Sequence, residues 1–94
     1  MKIVNITLSA TGDWIDINTV AGIDVGTTLS VQCTGTTWIR IQESETEPTS
    51  EEEGKLLTNL SESSANATIN GNPLRVWARS SKKGRQALLA VQPT

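Results

Sequence analysis

The apolar residues of this 94-residue chain recur at every second position, in short runs cut apart by turn-forming residues. Val4, Ile6 and Leu8 alternate with Ile3, Asn5 and Thr7. Ile15 and Ile17 share a face with Asp16 opposite. Leu29, Val31 and Cys33 alternate with Ser30, Gln32 and Thr34, and Ile39 and Ile41 resume the pattern. Leu74, Val76 and Ala78 form one face of a strand whose other face carries Arg75, Trp77 and Arg79. Turns are expected at Ala10-Thr11-Gly12-Asp13, across Ala21–Gly26, at Asn70-Gly71-Asn72-Pro73 and at 80–84. Thr34-Gly35-Thr36 reads as the close of a hairpin. Lys55–Leu60 and Ala67–Ile69 read as short strands, and Ser61–Asn66 as a polar loop between them. The run from Arg85 to Gln92 is helix-permissive by propensity. It is assigned as a strand because the 80–84 turn pairs it with Leu74–Arg79 in a hairpin of matched length. Seven or eight short strands, with turn signals roughly every 8–12 residues, predict an all-β fold: a small antiparallel sandwich or partly open barrel.

A chain of this length is one domain, residues 1–94, and its core is thin, best built as two layers. The single cysteine excludes an intrachain disulfide and fits the strand pattern as a small buried hydrophobe. The N-terminus lacks the continuous apolar stretch of a signal peptide, and no segment is apolar for long enough to span a membrane. These features lead us to expect a soluble protein made in a cytoplasm.

Composition argues against most chemistry. There is no histidine, so the usual proton shuttle at neutral pH is missing, and transition-metal ligands reduce to one cysteine. No glycine-rich segment leads into a helix pattern with a Gly-Lys-Ser motif, so phosphate loops are not indicated. The glutamates at 43, 45, 47, 51, 52 and 53, broken by Pro48 and stopped by Gly54, read as a solvated loop. A carboxylate pair for catalysis needs a desolvated site that such a loop does not offer. A Ca²⁺ site fits the ligand type but not the spacing of an EF-hand. No catalytic residue, cofactor or metal ligand is assigned, and the chain is read as a non-enzyme.

Charge is segregated instead. Negative charge gathers at 43–53, while Arg75, Arg79, Lys82, Lys83 and Arg85 place five of the eight basic residues in positions 75–85. The bland reading is a decorated hairpin exterior with an acidic loop elsewhere. The sharper one is pairing between copies, Glu51, Glu52 and Glu53 of one against the basic hairpin of the next. Trp38 and Arg40, like Trp77 and Arg79, lie at i and i+2 on the face opposite the aliphatic one. Each pair either forms an intersubunit surface or stacks within the chain; tryptophan and arginine are enriched at interface hot spots.

Four segments carry a family resemblance. They are Ser30-Val31-Gln32-Cys33-Thr34-Gly35, Trp38-Ile39-Arg40-Ile41-Gln42-Glu43-Ser44 with Pro48 beyond it, Pro73-Leu74-Arg75-Val76-Trp77-Ala78-Arg79-Ser80, and Ala87-Leu88-Leu89-Ala90-Val91. The x-x-E-S-x-x-x-P loop and the P-L-x-V-W-A-R-S strand resemble those of small β-rich virion proteins of tailed bacteriophages, over about residues 25–92. The resemblance implies a non-enzymatic structural role in the virion, as head decoration or cement or as a neck, tail or fibre component. It further implies synthesis in the bacterial host and partners that are copies of itself, often as trimers, and other virion proteins such as the major capsid, portal or tail proteins. Two other functions fit the residues. Trp38 or Trp77 suits a carbohydrate-binding or adhesin-like module. Arg75, Trp77, Arg79 and Lys83 suit a barrel that binds single-stranded nucleic acid, although the net charge of −2 is no nucleic-acid signature.

Overall fold

The computed structural model describes residues 3–49, 54–58, 62–65, 68–69, 72–82 and 84–93, with 62–65, 68–69 and 72 described as strand backbone. Glu51, Glu52, Glu53 and Lys83 of the expected interface lie outside the described residues. So does a capped helix starting at Ser50, an alternative the sequence allows with Glu53 three residues on.

The strands are β1 (Val4–Leu8), β2 (Ile15–Asp16), β3 (Leu29–Cys33), β4 (Ile39–Ser44), β5 (Lys55–Leu57), β6 (Glu62–Ala65), β7 (Thr68–Ile69), β8 (Asn72–Pro73), β9 (Arg75–Ser80) and β10 (Ala87–Pro93); one short helix, α1 (Ile17–Ala21), follows β2. Among the described residues they form two four-stranded sheets, ordered β1-β10-β3-β6 and β2-β9-β4-β5, and a small β7-β8 ribbon. Every pairing is antiparallel. The all-β sandwich expected from the alternation is the fold observed.

The core follows the alternation closely. Leu8, Val31, Cys33, Leu89 and Val91 of one sheet and Ile39, Ile41, Leu57, Val76 and Ala78 of the other are buried in one cluster with Ile17 of α1. The smallest dimension of the molecule is 19 Å, as expected for two sheets about 10 Å apart with side chains on their outer faces.

Three sequence expectations fail in the same region of physics. The proposed hairpins β3–β4 and β9–β10 do not form. β3 pairs with β10 and β6, β4 with β9 and β5, and β9 with β2 and β4. Each expected hairpin is instead an arch between sheets. Adjacent strands in a thin sandwich can bury their apolar faces against each other across the layer, and a connector of several residues spans that gap where a two-residue hairpin cannot. Residues 34–38 and 81–86 are these arches. The third failure is Glu62–Ala65, which is not loop but an edge strand on β3. Its backbone completes the ladder although its sequence, Glu-Ser-Ser-Ala, carries little strand propensity.

Ile17 does not continue β2. Asp16 caps α1, accepting from the Thr19 N–H at 3.3 Å, and Gly22 ends it at φ 70°. The helix is tied to the sheet by Asn18, which is buried. Its Oδ1 accepts from the Val76 N–H at 2.8 Å, and its Nδ2 donates to the Ile23 and Asp24 carbonyls at 3.2 and 3.1 Å. β7 pairs with β8, Thr68 with Pro73 and Ile69 with Asn72, so the second half of the turn expected at residues 70–73 is strand, and Asn70 and Gly71 lie outside the described residues.

Candidate functional site

Strand directions sort the loops into two ends. β1, β3 and β9 run toward one end, where residues 9–14, 34–38 and 81–86 lie; β4 begins there and runs to the other end, where residues 45–49 follow it. The two arches meet at the first end. The Ser81 N–H donates to the Trp38 carbonyl at 2.9 Å, extending the β4–β9 ladder by one pair. An open pocket of about 250 Å³ forms there, lined by Thr36, Thr37, Trp38, Ser81, Lys82 and Arg85.

The pocket is held by buried polar groups. Ser80 is fully buried; its hydroxyl lies 2.8 Å from the Arg85 carbonyl and 3.0 Å from the Lys82 carbonyl, and it accepts from the Lys82 N–H at 3.4 Å. The Gly84 N–H donates to the Ala10 carbonyl at 2.8 Å, pinning this arch to the loop after β1. On the other arch the buried Cys33 thiol donates to the Thr37 carbonyl at 3.3 Å, so the residue read as a core hydrophobe also fixes the backbone before Trp38. The result is a hydrogen-bonded frame around an indole that is 45% exposed, in a pocket shared with two exposed cations. Neither Lys82 nor Arg85 makes an ion pair among the described residues.

The expected interface set is thus divided. Trp38, Lys82 and Arg85 come together. Arg40 is half-buried in the middle of the outer face, in register with Arg79 on β9. Arg79 is corrected: it is buried in its own chain, with Nε donating to the Gly12 carbonyl at 2.7 Å and its guanidinium 6.0 Å from the centre of the Trp14 ring. It packs on Trp14, which the two-residue spacing gave no reason to select, rather than on Trp77. Arg75 is at the far end, bonded through Nη1 to Asp16 at 2.6 Å, and so is no part of a basic hairpin tip. Trp77 is half-buried, with its Nε1–H donating to the Ser44 carbonyl at 3.1 Å. Sequence reasoning missed Thr36, Thr37, Ser80 and Ser81. Their one signal was a run of hydroxyl residues on each arch, ordinary for turns and silent about which arches meet.

The acidic segment leaves the opposite end. Glu45 and Glu47 are exposed, and Pro48 between them and residue 50 is buried, which anchors the segment to the sandwich. Among the described residues, no cluster of three or more metal-ligating side chains is found, and no helix is long and apolar enough to cross a membrane. Comparison with protein-family models, curated proteins and solved structures finds no match to this chain.

Proposed function

We propose that this chain is a non-enzymatic structural component of a tailed-bacteriophage virion, working by self-association and by docking on the particle. The family resemblance of the β3, β4, β9 and β10 segments supports the virion role. The observation that carries the docking role is Trp38, a large aromatic held exposed on a hydrogen-bonded frame in a pocket it shares with Lys82 and Arg85. A solvent-facing indole in a domain with so few aromatic residues is apolar surface that a partner can cover, and tryptophan beside arginine is the composition of an interface hot spot. Sedimentation velocity of the purified chain, with mass spectrometry of purified particles, tests the proposal. Oligomers and a particle-bound pool are expected. A strict monomer at tens of micromolar with no particle-bound pool contradicts it.

One observation favours a second reading. The pocket beside Trp38 is otherwise lined by the hydroxyl residues Thr36, Thr37 and Ser81, a setting in which an indole can stack on a sugar ring. A glycan array separates the two: an interface protein shows no sugar response.

A further inference from the structure

We infer that the Trp38–Lys82–Arg85 pocket receives the acidic segment that begins with the described residues 45–49, at the opposite end of a second copy of this chain, joining copies head to tail. This rests on the self-association reading and names the surfaces that meet.

β4 starts immediately after Trp38 and ends immediately before Glu45. Six strand residues place those points about 20 Å apart. Screening at physiological ionic strength acts over roughly 8 Å, so Glu45 and Glu47 do not neutralise the pocket of their own chain. Lys82 and Arg85 are exposed at one end, which also carries Asp13, and Glu45 and Glu47 are exposed at the other, where Arg75 is paired with Asp16, so opposite charges face outward at the two ends although the net charge is only −2. Copies therefore repel weakly as wholes and attract end to end.

The pocket fits such an occupant. At about 250 Å³ and open to solvent, it falls below the ~300–1,000 Å³ of clefts that enclose small molecules. It suits side chains protruding from a macromolecule: a carboxylate between the two cations, with the stem of the glutamate or a neighbouring apolar group against the indole. The hydroxyls of Thr36, Thr37 and Ser81 supply further donors to carboxylate oxygens. Burial of Pro48 limits the freedom the acidic segment loses on docking. Because donor and acceptor surfaces differ, the contact is heterologous: it closes into a ring when the rotation allows and otherwise extends.

The test uses two full-length variants, each checked for the native fold by circular dichroism. One is pocket-deficient, Trp38→Ala with Lys82→Glu and Arg85→Glu. The other is loop-deficient, with Glu45, Glu47, Glu51, Glu52 and Glu53 changed to Gln. Each alone should lose association by at least about thirtyfold, the effect of removing a hot-spot residue. Mixed, they should form a 1:1 heterodimer and nothing larger, since only one intact contact remains per pair. Oligomers that persist in both variants overturn the inference and leave self-association standing. A wild-type chain that is monomeric overturns both. Loss of association in the pocket variant alone shows that another surface fills the pocket and also overturns the inference. So does wild-type retention on single-stranded DNA or a glycan that Trp38→Ala abolishes while oligomers remain.

Discussion

Asn18→Ala removes the side chain that ties α1 to the second sheet, and its cost can be worked from the three bonds it makes. The Val76 N–H is the expensive loss. Its bond to Asn18 Oδ1 is buried, Val76 itself is fully buried, and no water can replace the acceptor. A buried donor left unpaired costs about 1–3 kcal/mol. The Ile23 and Asp24 carbonyls lie nearer the surface, where water can rehydrate them, so each lost bond there costs about 0.5 kcal/mol. The sum is about 2–4 kcal/mol, a fall in melting temperature of roughly 10–25 °C for a domain of this size. Thermal unfolding by circular dichroism reads the total, and hydrogen exchange at the Val76 amide reads the dominant part. Asn18→Asp keeps an acceptor for Val76 but turns an oxygen toward two carbonyl oxygens, so it should be at least as destabilising despite its matching shape. A melting temperature within about 2 °C of wild type for Asn18→Ala, with Val76 still protected, would refute the reasoning.

Other substitutions separate frame from surface. Gly54→Ala should destabilise by about 2–5 kcal/mol in urea unfolding, because φ is +87° and a Cβ would overlap the Ile41 carbonyl oxygen and lie 2.9 Å from its carbon. Arg79→Ala should cost about 2–4 kcal/mol by the same assay, since it strips the buried Gly12 carbonyl of a donor and uncovers Trp14. Asp16→Ala loses the α1 cap and a partly exposed ion pair, together about 1–2 kcal/mol in thermal melts. Trp38→Ala should leave stability within about 0.5 kcal/mol of wild type while abolishing self-association in sedimentation velocity.

The fold class was legible because a thin sandwich needs apolar residues on one face of each strand, and nearly every alternating residue from Ile6 to Val91 lies where the alternation puts it. What the alternation does not encode is which strand lies beside which. Leu74–Ala78 and Ala87–Val91 are equally good neighbours in one sheet or across two, and the residue types of the 80–84 turn suit a hairpin and an arch alike. Strand β6 was invisible because an edge strand is held by the backbone of β3, and its side chains need no apolar pattern. Asp16 and Gly22 carry the helix signals of cap and stop, yet Ile15 and Ile17 share a strand face so well that the period-two reading prevailed. At the site, Trp38, Lys82 and Arg85 were found by type. Arg79 stacks within the chain, one of the two outcomes its spacing leaves open, but on Trp14 rather than Trp77, because the loop carrying Gly12 and Trp14 folds over it.

The account depends on the indole at residue 38 being covered when the protein is assembled. Hydroxyl-radical footprinting, read by mass spectrometry on the unaltered chain, measures this for each tryptophan separately. From dilute monomer to concentrated or particle-bound protein, oxidation at Trp38 should fall several-fold while that at the already buried Trp14 stays low throughout. Oxidation at Trp38 that is the same in the dilute, concentrated and particle-bound states would contradict the account.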